Sequence, residues 1–240
     1  MTESRTAIIA GASSGVGAAT ALALADVRFD VALVARRRDR LEHVGRQVRE
    51  RGTDAHVLQA DLQDGAAAER AMGEAIRCLG AVDVLVNCLG TNVTKRRLTE
   101  ISVPDWDHIV ATNLSAIFYS VRAVLPSMRQ RGRGLVISIS SIAGMQPSAL
   151  SGAAYCASKA GLNALAACIN LEEGEHGIRS CVICPGDIDT ELPDRRPRPP
   201  TAHERARMLQ PADVAGLVVS VVLQPEHARV DQIVVRPSEA

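Results

Sequence analysis

Residues 6–17 read Thr6-Ala7-Ile8-Ile9-Ala10-Gly11-Ala12-Ser13-Ser14-Gly15-Val16-Gly17. An apolar run at 6–10 leads into three glycines spaced G-x-x-x-G-x-G, and helical periodicity follows at 17–25. A run apolar at nearly every position is the pattern of a strand buried on both faces of a parallel sheet. Glycines at its end let the backbone turn tightly and let a ligand approach it closely.

The alternation continues along the chain. Apolar runs at 31–35, 55–59, 82–87, 134–139, 180–184 and 232–235 predict six more strands. Between them, 39–51, 65–79, 104–130, 153–176 and 211–223 have helical periodicity, and Ser102 before Pro104 and Asp105 reads as a capped start. Strands and helices in this rhythm mean a doubly wound α/β parallel sheet, a Rossmann fold of about seven strands with helices on both faces. With no linker and no internal repeat, residues 1–240 form one domain. The segment 191–207 differs in composition, with Pro193, Pro197, Pro199 and Pro200 among several arginines. Dense proline excludes a regular helix from its first half, while 202–208 suits a short one. A loop this long in a compact domain reads as a substrate-binding lid, or else as a solvated insertion.

Composition narrows the partners. The 27 Lys and Arg balance the 27 Asp and Glu, so the net charge is zero. A nucleic-acid or anionic membrane partner calls for a positive excess, and neither is expected. A hydrophobic share of 47% against 22% charged excludes disorder. No apolar run approaches the ~20 residues of a membrane helix, and Glu3 and Arg5 break any leader, so a cytoplasmic location is expected. Cys181-Val-Ile-Cys184 has redox or metal spacing but lies in a predicted strand, where positions three apart face opposite sides. The pair reads as two buried thiols, and no metal site is expected.

The glycine loop at the first strand–helix turn suits a dinucleotide. Gly11, Gly15 and Gly17, with Ser13, Ser14 and Val16 between them, bring backbone to a pyrophosphate, and the helix N-terminus offers N–H groups and a positive dipole end. The second strand ends at Ala35, followed by Arg36-Arg37-Arg38. A cofactor lacking a 2′-phosphate wants a carboxylate at that tip, whereas Arg36, with Arg37 beside it, pairs with a 2′-phosphate. NADP(H) is the expected cofactor. Arg38 and Arg40 read as a solvated helix turn.

Only Lys95 and Lys159 are lysine, and only Tyr119 and Tyr155 tyrosine, so a motif using both types carries weight. Tyr155-Cys156-Ala157-Ser158-Lys159 sets phenol and ammonium at i and i+4 on one helix face. A free phenol, with a pKa near ~10, is a poor proton donor or acceptor at neutral pH, and a nearby ammonium lowers that value. Ser141 lies at the C-terminal end of a predicted strand, where open α/β sheets bind ligands.

These motifs occur in one order together with Asp61 in Ala60-Asp61-Leu62, Asn87-Cys88-Leu89-Gly90, Asn113 in Thr112-Asn113-Leu114, and Pro185-Gly186-Asp187-Ile188-Asp189-Thr190. Over residues 6–237 the chain resembles the short-chain dehydrogenase/reductase family, in its NADP-preferring branch. The resemblance implies hydride transfer between nicotinamide and a small carbonyl or secondary alcohol substrate. Tyr155 exchanges the proton, Ser141 supports the reacting oxygen, Lys159 holds the nicotinamide ribose, and Asn113 holds a water leading to solvent. It also implies that Asp61 and Leu62 flank the adenine and that Asn87 and Gly90 line its ribose. Ile188 and Thr190 hold the carboxamide, with Pro185 and Gly186 in the same cofactor-binding set. A homodimer or homotetramer, packed through the helices at 104–130 and 153–176, is implied as well.

Two other readings stay open: a 3-oxoacyl thioester reductase meeting an acidic carrier through Arg129, Arg131 and Arg133, and an NADP(H)-binding regulator without turnover. The chain departs from the family pattern at Ala10, where Thr is usual, and at Cys88-Leu89, where Asn-Ala is usual. Asp26-Val27-Arg28-Phe29-Asp30 lacks the usual glycine, and the Ser141 to Tyr155 interval is one residue longer than common.

Overall fold

The structure, a computed structural model, describes residues 5–238. Seven parallel strands form one sheet in the order β3-β2-β1-β4-β5-β6-β7. They are β1 (Arg5–Ala10), β2 (Phe29–Ala35), β3 (Ala55–Gln59), β4 (Val84–Asn87), β5 (Gly134–Ile139), β6 (Ile178–Pro185) and β7 (Gln232–Val235). All seven predicted strands are present. Along β1 the side chains alternate: Ala7 and Ile9 enter one core layer, Ile8 and Ala10 the other.

Helices α1 (Gly15–Asp26), α2 (Arg38–Arg49) and α8 (Pro211–Val222) cover the first layer, with Leu24, Leu41 and Val218 inside it. Helices α3 (Gly65–Leu79), α5 (Ala116–Arg131) and α6 (Ala153–Glu172) cover the second, with Met72, Ile117 and Leu162. Strand order reverses between β1 and β4, which opens a crevice beyond the C-terminal ends of the strands. Cys181 packs into the first layer and Cys184 against Ala166 of α6, so the two thiols do face opposite sides.

The predicted helix at 104–130 is divided. α4 (Val103–Val110) starts on Ser102, whose hydroxyl accepts from the Asp105 N–H at 3.2 Å. A π-helical segment, Ala111–Ser115, separates it from α5. Among the described residues, the continuous stretch Val103–Arg131 is long and apolar enough by length and composition to cross a membrane, which the run-by-run reading did not anticipate. Here Ile117, Val121, Val124 and Met128 bury one face of it against the sheet.

The proline-rich loop carries a 3-10 turn at Leu192–Arg195 and a one-turn helix, α7 (Ala202–Arg205). A reciprocal cap starts α7: the Thr201 hydroxyl accepts from the Glu204 N–H at 3.3 Å, and the Glu204 carboxylate accepts from the Thr201 N–H at 2.7 Å. At the turn into β2, where the usual glycine is missing, Arg28 takes the left-handed conformation with φ 67°.

Candidate active site at the crevice of the sheet

A cavity of about 1100 Å³ fills the crevice, with the glycine loop at one end. Gly11 has φ 87°, and a Cβ there would stand 2.9 Å from the Cys88 carbonyl oxygen. A Cβ on Gly17 would overlap the Gly11 carbonyl oxygen. The loop therefore keeps its tight path only with glycine at these positions. Ser14, the N-cap of α1, makes no side-chain cap bond. The first-turn N–H groups of α1 are left for a ligand, and Ser13, Ser14, Gly15 and Val16 line the cavity there.

The tip of β2 brings cations to this end. Arg37 donates from Nη2 to Ser14 Oγ at 2.6 Å and Ser13 Oγ at 3.2 Å, and from Nη1 to Glu191 Oε2 at 3.1 Å. The Arg36 guanidinium stands 3.9 Å from the Asp61 carboxylate, both largely exposed. Arg40, read above as part of a solvated turn, also pairs with Glu191, while Arg38 pairs with Glu42 along α2 at 3.7 Å. A glycine cradle too tight for side chains, open N–H groups and two guanidiniums beside two hydroxyls fit a dinucleotide carrying a 2′-phosphate.

Asp61, Leu62, Gly90, Pro185, Gly186, Ile188 and Thr190 line the same cavity. Three expected residues stand behind its wall instead. Gly17 acts through its backbone. Asn87 is fully buried, donating to Ser138 Oγ at 3.4 Å, and its Oδ1 has no hydrogen-bond partner among the described residues. Asn113 lies on the π-helical segment, where its Oδ1 accepts from the Thr91 N–H at 2.8 Å. Its Nδ2 donates to the Thr91 carbonyl and to Ser158 Oγ, both at 3.1 Å. Ser158 in turn donates to the Tyr155 carbonyl at 2.8 Å. Asn113 thus ties the loop after β4 to the first turns of α6.

Ser141, Tyr155 and Lys159 converge on the cavity wall. The Ser141 hydroxyl, which accepts from the Ala143 N–H at 3.1 Å, lies close enough to the Tyr155 phenol to act on its ionisation. Lys159 Nζ lies 5.9 Å from the centre of the Tyr155 ring and donates to the Ile139 carbonyl at 2.9 Å and the Leu89 carbonyl at 3.3 Å. Burial pulls the Lys159 ammonium down to about 8. The Tyr155 phenol is pushed up by burial, against the lowering effect of the nearby Ser141 hydroxyl. This differs from the sequence expectation that Lys159 lowers it. Desolvation acts on the phenol directly, whereas the ammonium points its protons at two carbonyls.

The rest of the cavity holds residues that sequence reasoning missed. Arg96, Arg195, Arg196 and Arg236 line it beyond Tyr155, brought there from the loop after β4, the proline-rich loop and the segment after β7. Lys95-Arg96-Arg97 reads locally as a solvated charge run, yet Arg96 is only 5% exposed. Its fate depends on contacts with residues more than fifty positions away, which leave no local pattern. Outside the cavity lining, Arg129 is engaged bidentately by Glu173 at 2.6 Å, and Arg131 and Arg133 pair with Asp83 at 3.0 and 3.4 Å.

The short chain dehydrogenase family model matches residues 5–199. An uncharacterized oxidoreductase of Staphylococcus haemolyticus is 32% identical over 233 residues, 97% of each chain. Among solved structures, a metagenomic short-chain oxidoreductase in complex with NADP is 31% identical, with TM-score 0.85 over 98% of both chains. An alcohol dehydrogenase from Thermococcus sibiricus complexed with 5-hydroxy-NADP is 28% identical, with TM-score 0.87 over 97% of this chain and 96% of that one.

Proposed function

Because the chain belongs to the short-chain dehydrogenase family of oxidoreductases, we propose that it is an NADP(H)-dependent carbonyl reductase, or the reverse alcohol dehydrogenase, acting on a small molecule. The carrying observation is the convergence of Ser141, Tyr155 and Lys159 on a cavity whose far end holds the glycine loop, Arg36 and Arg37. The NADP-bound state of two structural neighbours supports the cofactor. Glycine-loop backbone binds the pyrophosphate, and Arg36, Arg37 and Ser13 receive the 2′-phosphate. Asp61 and Leu62 flank the adenine.

NADPH, when bound, supplies the hydride for the carbonyl carbon. In that direction the Tyr155 hydroxyl gives its proton to the carbonyl oxygen, and the Ser141 hydroxyl donates a hydrogen bond to the same oxygen as negative charge develops on it. Lys159 spends two of its three N–H donors on the Leu89 and Ile139 carbonyls, and the third is the one that holds the nicotinamide ribose hydroxyls. Asn113 holds the helix and loop that carry these groups. A homo-oligomer and a cytoplasmic location belong to the same proposal. The pairing of Arg129, Arg131 and Arg133 with Glu173 and Asp83 gives no support to an acidic carrier protein as partner.

The test is a fluorescence titration of NADPH against NADH, with a turnover assay over a panel of carbonyl compounds. NADPH is expected to bind at least tenfold tighter, about 1.4 kcal/mol, with Arg36→Ala and Arg37→Ala each eroding the preference. Tyr155→Phe is expected to keep NADPH binding and lose turnover. NADH binding as well as NADPH would overturn the cofactor assignment. Full turnover by Tyr155→Phe would overturn the proton-donor assignment.

A further inference from the structure

Beyond Tyr155 the cavity is strongly one-signed in a chain whose net charge is zero. Arg96 is 5% exposed, and its guanidinium is held by neutral backbone oxygens alone: the Val93 carbonyl at 2.7 Å, the Leu150 carbonyl at 3.1 Å and the Arg195 carbonyl. Those bonds occupy three of its five N–H donors and leave its charge uncompensated. Its stem packs where a Cβ on Gly152 would fall, 2.8 Å from Arg96 Cβ, so Arg96 is fixed against the start of the helix that carries Tyr155. Arg195 donates to Thr91 Oγ1 at 2.8 Å and to the Asn92 carbonyl at 3.3 Å, and Arg236 donates to Gln146 Oε1 at 2.9 Å. Among the described residues none of Arg96, Arg195 and Arg236 has a carboxylate within 4.0 Å, while the acid at this end, Asp187, is neutralised by Arg196.

Burying a guanidinium without a counter-charge is costly, and adding further cations around it raises the cost. The three carbonyl bonds join three loops, a task beyond the single amide nitrogen of a glutamine, but they leave the positive charge itself unmatched. Among the described residues, Arg195 and Arg236 are exposed at the cavity without an acid partner, and a ligand that brings negative charge would meet them together with the buried, uncompensated Arg96. The seats proposed above for the cofactor's phosphates, the glycine loop and the β2 tip, use none of these three arginines. We propose that the substrate is an anion: a ketone or secondary alcohol bearing a carboxylate or phosphate that docks on Arg96, Arg195 and Arg236 while its reacting oxygen meets Tyr155 and Ser141. The substrate class named here rests on the oxidoreductase reading above.

Binding rather than turnover tests it. Protein saturated with NADP+, which cannot reduce a ketone, is titrated calorimetrically with two matched pairs: acetoacetate against methyl acetoacetate, and dihydroxyacetone phosphate against dihydroxyacetone. At least one anion is expected to bind tenfold or more tighter than its neutral partner, and the first pair against the second shows whether a carboxylate or a phosphate is preferred. Arg195→Gln and Arg236→Gln are each expected to cut the preference threefold or more, and Arg195→Lys to keep most of it. Arg46→Gln, exposed on α2, is expected to leave it unchanged. Equal affinity within both pairs, including no measurable binding by either anion, would overturn the proposal. So would an Arg195→Gln variant that loses NADP+ affinity and not anion preference, since the arginine would then serve the cofactor. If NADP+ fails to bind at all, the NADP(H) assignment falls, and the same titrations with NAD+ and on the protein alone still decide the anion preference. Arg96→Gln is measured with its melting temperature, because its three carbonyl contacts also join three loops.

Discussion

Arg37 donates to Glu191 at 3.1 Å, across 154 positions of sequence, so the arginine assigned to the 2′-phosphate is already in contact with the first residue of the proline-rich loop. Arg40 holds the same carboxylate. Their guanidiniums, that of Arg40 foremost, keep the Glu191 carboxyl below the usual range, so it is charged at neutral pH. A phosphate arriving at Arg37 meets that charge. The ion pair is exposed and worth about 1 kcal/mol or less. Glu191→Gln is therefore expected to tighten NADPH by a factor of about two to five, to leave NADH unmoved, and to do so mainly at low salt, where exposed charges are least screened. Titration of both cofactors at low and high salt checks this. Weaker NADPH binding by the variant would mean that Glu191 positions Arg37 for the phosphate.

The second expectation concerns pH. Lys159 is 2% exposed, and burial lowers its pKa from 10.5 to about 8. The unfolded chain keeps this proton up to its ordinary pKa, while the folded chain releases it from about 8 upward. Between the two values the unfolded state binds more protons, so stability rises with pH across that window. Below it both states are protonated and the burial penalty, on the order of 3 kcal/mol, is fully in force. Lys159→Met abolishes the titration. Wild-type stability minus variant stability should be flat below about pH 8 and climb in favour of wild type above it. Urea unfolding of both proteins below, within and near the top of the window measures the difference, and a flat difference throughout would contradict the assigned burial effect.

Much of this site was legible because its chemistry is local. The glycines at 11, 15 and 17, the Arg36-Arg37 tip and the Tyr155/Lys159 spacing are each read within one element, and the alternation of runs places those elements on one sheet edge. The π-helical segment at Ala111–Ser115 was not legible, since Ala, Thr, Asn, Leu and Ser are unremarked in any helix. Its register follows from Asn113 bonding to Thr91. The basic substrate end was hidden for the same reason: Arg96, Arg195 and Arg236 meet only after three distant segments have been folded over the cavity. Asn87 shows the converse. A motif position was carried over from a family pattern, while the side chain at it is spent on Ser138 behind the wall.

A third expectation follows from Arg28. It is the one non-glycine residue with positive φ among the described residues, at 67°, between α1 and β2. Holding an L-residue there costs roughly 1–2 kcal/mol. The side chain returns little, a 3.4 Å exposed hydrogen bond from Nη1 to the Arg51 carbonyl. Arg28→Gly should relieve the strain, offset in part by the greater freedom of glycine in the unfolded chain. The net gain is expected to be about 0.5–1 kcal/mol, or roughly 1–4 °C in Tm for a domain of this size. Arg28→Ala separates strain from contact, because it loses the hydrogen bond and keeps the conformation. Scanning calorimetry should rank glycine above wild type and alanine at or below it. A glycine variant no more stable than the alanine variant would remove strain as the explanation.

The last expectation tests self-association. Phe118 on α5 is 44% exposed and Leu171 on α6 is 83% exposed, and Trp106 on α4 is also among the exposed large apolar residues. Large apolar side chains left in water on the helices assigned to the interface are what a second copy would cover. The proposed oligomer would cover them, with α5 and α6 facing the second copy. A twofold interface contains each residue twice, so one charge introduced there acts twice. Burying one such side chain is worth about 1.5–3 kcal/mol, and losing two copies gives about 3 kcal/mol or more per dimer. That corresponds to a dissociation constant raised roughly a hundredfold or more. Phe118→Glu and Leu171→Glu should each convert a sedimenting oligomer into monomer over a range of concentrations where wild type stays assembled, with melting curves that report a folded chain. Wild type that sediments as a monomer throughout that range would refute the assembly and leave the exposed apolar residues to another partner.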